Sequence, residues 1–396
     1  MHDAVVVGAG LSGLTAAHRL EAGGADVLVL EAGPRVGGRV WSPAGPGGRW
    51  EAGGEAVDLA STRLRALAEE VGAGLRRSEV GWGDHGPAPV EWHVAGRVGA
   101  PEAPGYRRLV AEIARRGASP QADDRFTVAE WMARDGAGMF DLAVTETAVS
   151  VTSSTMPVKR MSLHALAVKT AARSGTGDGA ELRFADGAGG FAETLAAGLG
   201  ARLRLRAAAS AVHVRRGSVE VETGSERLRA RRAVVAVPLH ARARIAGLPA
   251  VPAGSYGVAA KSLVELADDL PERPTAVLTD TALGYAYRRD ARSLGSFVGS
   301  RAAASLLRVG RRAADAAVAE AVRRAFGVRV ERITRVAYPR SYLIFGPGEL
   351  RGFGAHLADP AGPVHFAGAE ASELPSFMEG AVRAGERAAA EVLAAR

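Results

Sequence analysis

The sequence predicts an α/β protein of two domains, the first organised around a mainly parallel sheet and the second of α+β type. Three observations support this prediction: a strand–turn–helix–strand pattern at the N-terminus, later apolar strands that alternate with helical stretches, and a closing strand and helix near the C-terminus. The chain has 396 residues, which is enough for two hydrophobic cores. We therefore expect the chain to leave the first domain and return to it more than once.

The first domain begins with a glycine-rich turn between a short strand and a helix. Residues 4–7 are apolar and predict a strand, residues 14–22 carry apolar side chains at helical spacing, and residues 26–30 predict a second strand. The turn itself reads Gly8-Ala9-Gly10-Leu11-Ser12-Gly13. A turn of this kind in this context is the fingerprint of a dinucleotide-binding unit.

Each glycine of the fingerprint has a physical role. Gly8 permits the tight turn, Gly10 lets the backbone approach a pyrophosphate, and Gly13 lets the helix pack closely on the strand. The free amides at the start of the helix then face the phosphates. Glu31, directly after the second strand, is placed to accept hydrogen bonds from a ribose. At this point a plain NAD-binding unit remains an alternative.

A second glycine-rich turn narrows the choice of cofactor. Two arginines flank the glycines of Arg35-Val36-Gly37-Gly38-Arg39, an arrangement suited to a diphosphate. From Glu31 to Arg39 the sequence resembles the flavin-dependent amine oxidase family, the group that includes monoamine oxidase and polyamine oxidase. The resemblance implies FAD rather than NAD, held in a Rossmann-like domain of the glutathione-reductase type that is discontinuous in sequence.

Further segments carry the same resemblance. Residues 48–55 resemble the family segment that passes along the flavin ring. Residues 363–388 resemble the C-terminal signature, in which a helix N-terminus stabilises the reduced flavin. A residue near Ala211 or Val212 is implied to contact the adenine. In full, the resemblance implies cofactor contacts from Gly8, Gly10, Leu11, Ser12, Gly13, Glu31, Ala32, Arg35, Gly38, Arg39, Gly53, Gly54, Glu55, Ala211, Val212, Gly368, Glu370, Phe377, Met378 and Ala381.

The order of these segments predicts the domain limits. We expect the FAD-binding domain to comprise residues 1–80, 186–245 and 335–396, and the substrate-binding domain to comprise residues 81–185 and 246–334. Within the second domain, the stretch 81–105, with Trp82 and Trp92, predicts short strands and loops, and the stretch 105–173 predicts helices. Further helices are predicted at 61–71, 192–199 and 313–326, and strands at 207–215, 217–223, 233–238 and 256–266.

Lys261 is the sharpest candidate for a catalytic side chain. Only three of the fifty basic side chains are lysines, yet one of them stands inside the apolar stretch 256–266. A compact ammonium holds a water in a way that a planar guanidinium does not. The resemblance implies that this lysine bridges through water to flavin N5, for oxygen activation or imine hydrolysis. The alternative is a lysine at the end of a strand that reaches solvent.

Aromatic side chains are the expected walls of the substrate site, because their flat, weakly polar faces orient an amine without bonding to it. The family often uses a facing pair of rings. The resemblance places one at Phe377, where tyrosine is more usual, and the other at Tyr342. Tyr285 and Tyr287 are lesser candidates, and any of these rings has the alternative of packing in a core.

Composition excludes several classes of function. Cysteine is absent, which rules out disulfides, thiolate metal sites and a cysteinyl link to the flavin, so we expect FAD to be held non-covalently. The nine histidines are dispersed without ligand spacing, so no metal site is predicted. The formal charge of +7 comes from arginines scattered along the chain, which indicates solvated faces rather than a nucleic-acid surface.

The sequence predicts neither a membrane span nor an export signal. No run approaches the roughly 20 apolar residues that a membrane span requires. No signal peptide is predicted, because residue 4 already lies in the first strand. We expect a soluble, cytoplasmic protein, and the sequence leaves its oligomeric state open.

The function implied by the resemblance is FAD-dependent oxidation of an amine. The α-carbon would deliver a hydride to flavin N5, water would hydrolyse the imine, and oxygen would reoxidise the flavin and yield hydrogen peroxide. One alternative is a desaturase or ring oxidase of the protoporphyrinogen oxidase or phytoene desaturase type, and another is an L-amino acid oxidase. A third is a non-catalytic binder like the Rab GDP-dissociation inhibitors.

Overall fold

The computed structural model describes residues 1–78, 90–117, 119, 122–172, 181–252, 254–372 and 374–395, so Trp82 lies outside the described residues. The helices are Leu11–Ala22 (α1), Thr62–Glu70 (α2), Pro104–Gly117 (α3), Val128–Arg134 (α4), Met139–Thr145 (α5), Leu163–Ala171 (α6), Gly187–Ala197 (α7), Leu239–Arg242 (α8), Ser300–Arg308 (α9), Arg311–Phe326 (α10) and Met378–Ala394 (α11). A π-helix spans Glu146–Ser154, and 3₁₀ turns span Gly200–Arg202, Phe353–His356 and Ala369–Ala371.

The strands are His2–Val7 (β1), Val27–Leu30 (β2), Ala44–Gly45 (β3), Gly48–Arg49 (β4), Val57–Asp58 (β5), Leu75–Arg77 (β6), Val90–Val94 (β7), Arg97–Val98 (β8), Glu181–Phe184 (β9), Leu203–Arg204 (β10), Ala209–Arg215 (β11), Ser218–Thr223 (β12), Arg227–Val235 (β13), Ser255–Tyr256 (β14), Ala259–Leu266 (β15), Ala276–Thr279 (β16), Tyr285–Asp290 (β17), Ser293–Gly299 (β18), Val330–Tyr338 (β19), Leu343–Ile344 (β20) and Val364–Phe366 (β21). Together the strands and helices form a mixed α/β fold.

The first sheet has the order β10-β2-β1-β13-β12-β11, with β21 also paired to β13. Strands β10, β2, β1, β13 and β21 are parallel, whereas β11, β12 and β13 form an antiparallel meander. The predicted strand–turn–helix–strand pattern is confirmed, although α1 begins at Leu11, earlier than residue 14. Because β1 is central, its residues Ala4, Val5 and Val6 are fully buried on both faces, as expected for parallel strands.

Two helices cover one face of this sheet and approach each other closely. A Cβ added to Gly385 of α11 would lie 2.4 Å from the carbonyl oxygen of Ser12 in α1, so only glycine allows this separation.

Helix α7 begins at Gly187, five residues before the predicted start at residue 192. The closing strand and helix, β21 and α11, are confirmed in the positions that the sequence predicts.

The second sheet has the order β19-β15-β18-β17-β16-β7-β8. It is antiparallel except for the pair β16 and β7. Helices α9 and α10 pack on one of its faces and share an apolar core with β15, β17 and β18. None of the helices within the described ranges combines the length and apolarity needed to cross a membrane.

Two strands cross the domain limits expected from the sequence. β19 pairs with β15 along its whole length, so residues 335–338 belong to the second sheet rather than to the first domain. β9 pairs with β5 and β6, so residues 181–184 lie with the first part of the chain. Neither pairing leaves a local signal in the sequence, because the strands that meet are far apart along the chain. The domain limits stay predictions.

Candidate active site

A cavity of about 560 Å³ extends from the turn after β1, past the carboxyl ends of β1 and β2, to β15 of the second sheet. Cavities at this position are typical binding sites of open α/β sheets. Most of the predicted site residues line it: Gly8, Gly10, Leu11, Ser12, Glu31, Ala32, Gly38, Arg39, Gly53, Gly54, Lys261, Tyr342, Gly368, Phe377, Met378 and Ala381. The predicted residues Gly13, Arg35, Glu55, Ala211, Val212 and Glu370 are not among the lining residues.

At one end of the cavity, backbone amides at the start of α1 and the carboxylate of Glu31 line the wall. Gly8 has φ of 103°, a conformation that disfavours any other residue, and a Cβ on Gly10 would meet no protein atom within 4 Å. The first amides of α1 therefore open onto free space, because Gly10 has no side chain to cap them. Glu31 accepts hydrogen bonds from the amides of Ala9 at 2.8 Å and Gly33 at 2.7 Å, which fixes its carboxylate at the cavity wall.

Gly13, inside α1, and Gly10, directly before it, should respond differently to substitution by alanine. A Cβ on Gly13 would lie 1.9 Å from the carbonyl oxygen of Gly8, so we expect Gly13→Ala to lower the free energy of unfolding by about 3 kcal/mol through overpacking. Gly10→Ala fills only the cavity, so we expect nearly unchanged stability of the cofactor-free protein but weaker cofactor binding. Chemical denaturation of both variants, with and without FAD, measures this. Equal destabilisation by the two changes would contradict it.

The two arginines of the second turn have separate roles. Arg39 lines the cavity and pairs with Glu370, with Nη1 2.8 Å from Oε1. Tyr256 donates its hydroxyl to the same Oε1 at 3.3 Å, and burial and Glu370 raise the pKa of this tyrosine, which stays protonated. Arg35 instead donates to the carbonyl oxygens of its own turn, at residues 36, 38 and 40, and lies over the ring of Trp41. Arg35 therefore shapes the turn, and Glu370 orients Arg39.

Neither Ala211 nor Val212, near which an adenine contact is predicted, lines the cavity. Residues 207–209 line it, whereas Val212 is fully buried in the apolar core against which Ala207 and Ala209 also pack. The pairing of β11 with β12 is irregular between Ala209 and Ala211, which shifts the alternation of side chains. Because of this irregularity, the pattern of apolar positions does not match the lining of the cavity here, and the adenine contact stays a prediction.

Lys261 lies at the opposite end of the cavity, in the middle of β15. Its side chain is only 4% exposed, so the alternative of a lysine reaching solvent is wrong. Nζ donates to the carbonyl oxygen of Gly53 at 3.0 Å and to Oε2 of Glu55 at 2.5 Å. The ammonium is thus held between the second sheet and the glycine-rich segment after β4.

Glu55 is the centre of a buried ionic network behind the cavity wall. Its Oε1 accepts hydrogen bonds from Arg183 of β9 and from the Tyr287 hydroxyl of β17, while Oε2 accepts from Lys261. Burial acts to raise the pKa of Glu55, but the charges of Arg183 and Lys261 outweigh it and lower the pKa to about 2. Tyr287, a lesser candidate for the aromatic walls, thus serves this network, and Tyr285 is fully buried in a core.

Two aromatic rings line the cavity near Lys261, Tyr342 and Phe377, as the sequence predicts. Two rings that the sequence did not single out, Phe297 and Tyr338, line it as well. Phe297 stands opposite Lys261 in the pairing of β15 with β18. Tyr338 donates its hydroxyl to the carbonyl oxygen of Ala52 at 2.7 Å. This end of the cavity is therefore an aromatic chamber with one ammonium in its wall.

Sequence reasoning did not single out a second lysine, which lies beside two rings of this chamber but does not line the cavity. Lys169 of α6 lies with Nζ 5.7 Å from the ring centroid of Tyr342 and 5.4 Å from that of Phe377. The signal that singled out Lys261, a lysine kept in a chain that otherwise uses arginine, applies equally to Lys169. Within the described ranges, no group of three histidine, aspartate or glutamate side chains is placed to hold a metal ion.

Comparison with known proteins gives a consistent result. Residues 11–393 match the family described as flavin containing amine oxidoreductase. The flavin-containing amine oxidase of Danio rerio is 26% identical, with 100% of this chain and 86% of that protein covered. An L-amino acid dehydrogenase of Synechocystis sp. is 28% identical, with 99% of this chain and 94% of that protein covered.

Solved structures show the same likeness. Cyclohexylamine oxidase from Brevibacterium oxydans superimposes with a TM-score of 0.84 at 25% identity, with 100% of this chain and 99% of that chain covered. A putrescine oxidase with bound putrescine superimposes with a TM-score of 0.85 at 22% identity, covering 99% of each chain, which shows a shared fold.

Proposed function

The chain belongs to the family of flavin containing amine oxidoreductases, and from this premise we propose that it oxidises an amine with FAD held without a covalent bond. As a member of this family the protein is a flavin-dependent oxidoreductase with FAD as its cofactor. A plain NAD-binding unit and a non-catalytic binder are therefore set aside. The absence of cysteine supports the non-covalent attachment.

The proposal places FAD along the length of the cavity. In the proposed arrangement the first sheet is a Rossmann-like unit of the glutathione-reductase type, Glu31 accepts the ribose hydroxyls, and the start of α1 with Arg39 receives the diphosphate. The start of α11, at Met378 and Ala381, would stabilise negative charge on the flavin ring. Bound FAD would supply the two-electron oxidation of the amine at its α-carbon and the return of the electrons to oxygen, with hydrogen peroxide as the product.

The observation that carries the proposal is the buried Lys261 in the wall of an aromatic chamber. The rings of Tyr342 and Phe377 would orient the substrate and exclude bulk water. In the proposed mechanism the ammonium of Lys261, held by Gly53 and Glu55, positions a water that hydrolyses the imine. A desaturase acting on an apolar ring or chain gains nothing from a charged donor at this position, so Lys261 favours the amine.

The test is the flavin spectrum of the purified holoenzyme, mixed without oxygen with primary, secondary and amino-acid amines. We expect one class to bleach the flavin absorbance and the colour to return on admitting air, with one hydrogen peroxide formed per amine consumed. A yellow protein that no amine bleaches would instead support the desaturase alternative.

A further inference from the structure

Ser376, which stands directly before Phe377, has an unusual backbone conformation. Its φ is 77°, in the left-handed region that favours glycine. Five non-glycine residues of the described part of the chain share a positive φ, and Ser376 is the one among them that lines the main cavity. A conformation of this kind carries strain, and it persists only where the surrounding structure holds it. A contact in the structure must therefore hold this turn.

The hydroxyl of Ser376 supplies that contact. Its Oγ donates a hydrogen bond of 3.0 Å to the carbonyl oxygen of Leu343. Leu343 directly follows Tyr342, so this hydrogen bond joins the backbone beside one ring of the chamber to the backbone beside another, that of Phe377. The two rings are neighbours, because Nζ of Lys169 lies 5.7 Å from the centroid of the Tyr342 ring and 5.4 Å from that of Phe377. Ser376 thus connects the two segments that carry this pair of rings.

The segment that carries Tyr342 is fixed by contacts of its own. The amide of Ser341 donates to the carbonyl oxygen of Gly257 at 2.9 Å, and the amide of Gly257 donates to the carbonyl oxygen of Tyr342 at 2.9 Å. The hydroxyls of Ser341 and Thr155 lie 2.7 Å apart, and both side chains are buried. A Cβ on Gly257 would lie 1.9 Å from Oγ1 of Thr155, so only glycine fits here. The next carbonyl oxygen along the chain, which accepts the hydrogen bond described above, is therefore held in place.

The segment that carries Phe377 depends on the turn at Ser376. Phe377 is the residue directly before the first turn of α11. A Cβ on Gly380 would lie 2.0 Å from the carbonyl oxygen of Leu374, so the chain enters this helix through a tight bend. An L-residue lowers its energy by leaving the left-handed region, and such a change at Ser376 would rotate the chain just before Phe377. The hydrogen bond from Oγ opposes that change.

We propose that Ser376 is a positioning residue that sets the separation of the Tyr342 and Phe377 rings, and that this separation decides which amines the chamber accepts. The inference rests on the proposed function, because it refines the specificity of the same site. Ser376 acts through the two rings and need not touch the amine. A flat aromatic group depends on its distance from each ring, so an increase in the separation weakens its binding. A compact aliphatic group has less contact area with the rings and is affected less.

Two amines that lack a hydrogen on the α-carbon test this proposal without turnover. α,α-Dimethylbenzylamine carries a phenyl group where tert-butylamine carries a methyl group. Neither can deliver a hydride from that carbon, so each binds to the oxidised holoenzyme, and its Kd is measured from the change in flavin absorbance. We expect Ser376→Ala to weaken α,α-dimethylbenzylamine by about 10-fold or more, the loss of two aromatic contacts, and tert-butylamine by less than about 2-fold. Equal changes for the two amines, or a parent protein that binds both equally, would overturn the proposal.

Two further variants separate the hydroxyl from other effects. Ser376→Gly also lacks the hydroxyl, but glycine adopts the left-handed conformation without strain, so this variant should fold at least as readily as Ser376→Ala. We expect the same loss of binding, and a parent-like Kd in Ser376→Gly would overturn the role of the hydroxyl.

Ser296→Ala is the matched control. Ser296 also donates a buried hydrogen bond to a backbone carbonyl oxygen, that of Leu283 at 2.9 Å, and it is not among the lining residues of the main cavity. This variant should leave both Kd values unchanged. A loss like that of Ser376→Ala would show that any buried hydroxyl has the same effect, and the proposal would be wrong.

Turnover separates this inference from the proposed function. Benzylamine keeps two hydrogens on its α-carbon, and we expect Ser376→Ala to raise its KM about 10-fold while kcat changes less than about 3-fold, as for a loss of binding shared by ground state and transition state. An unchanged KM would overturn the positioning role and leave amine oxidation intact. If no amine reduces the flavin, the proposed function fails. A Kd for α,α-dimethylbenzylamine that depends on Ser376 would then still support the positioning role, and a Kd independent of Ser376 would overturn it.

Discussion

Lys261→Met is expected to slow steady-state turnover by roughly 100-fold or more, the loss typical of removing a positioned proton-transfer group. The substitution removes the donors that we assign to the hydrolytic water and to oxygen activation, while the volume of the side chain is nearly retained. FAD binding should persist, because the nucleotide end of the cavity is formed by other residues. The measurement is turnover with a substrate that bleaches the flavin, with the reductive and oxidative half-reactions followed separately by stopped flow.

Two controls sharpen this test. Lys261→Arg keeps the positive charge beside Glu55 but replaces the compact ammonium by a planar group, so it separates charge from the ability to hold a water. Lys159→Met removes an exposed lysine and should turn over normally. If Lys261→Met keeps the parent rates in both half-reactions, the assigned role is wrong.

Glu55→Gln is expected to lower the free energy of unfolding by about 3–5 kcal/mol, the usual cost of breaking a buried ion pair. The side chain of Glu55 is 2% exposed, and the change leaves the buried cations Arg183 and Lys261 without their shared carboxylate. The pKa of Glu55 is lowered to about 2, so the carboxylate stabilises the fold above the unfolded value near 4.5. This contribution, about 3 kcal/mol, is lost as the pH falls from about 4.5 to about 2.

Glu51, which lies close to Glu55, is a matched control, because its pKa is shifted in the opposite direction. Burial and the charge of Glu55 raise the pKa of Glu51 to about 6, although Ser42 donates to it at 2.6 Å. Its ionisation therefore destabilises the fold as the pH rises from about 4.5 through about 6. We expect Glu51→Gln to cost much less than Glu55→Gln at pH 7. Denaturation midpoints of both variants between pH 3 and 8 measure this, and equal losses would contradict the assigned network.

Local constraints explain why much of the nucleotide end was predictable. The tight turn at Gly8 requires glycine, and so does the close contact of Gly13 with the carbonyl oxygen of Gly8. These constraints act between residues that are near in sequence, so the sequence reveals them. The lining residues 207–209 were not singled out, because the irregular pairing between Ala209 and Ala211 breaks the alternation of apolar positions along the strand. No sequence pattern marks a bulge of this kind with an alanine on each side.

At the end of the cavity that contains Lys261, the sequence predicted a site residue only where a residue type is rare in the chain. Lys261 stood out because lysine is rare in this chain, and the same holds for Lys169. The partners of Glu55 could not be inferred, because Arg183 and Tyr287 are 128 and 232 positions away in the chain. Their meeting depends on how β9 and β17 pair with other strands, which is a property of the whole fold.

The network around Glu55 has a mechanical consequence. Glu55 and Arg183 come from segments beside the first sheet, whereas Lys261 and Tyr287 belong to the second sheet. Separating the two halves would break the ion pairs of Glu55 in the buried interior and leave charges there without partners. The free-energy cost of this separation is well above thermal energy. We therefore expect the contact between the two halves around Glu55 to stay closed and not to act as a hinge. We expect small molecules to reach the flavin by rearrangement of side chains around the chamber, while the halves of the molecule keep their relative position.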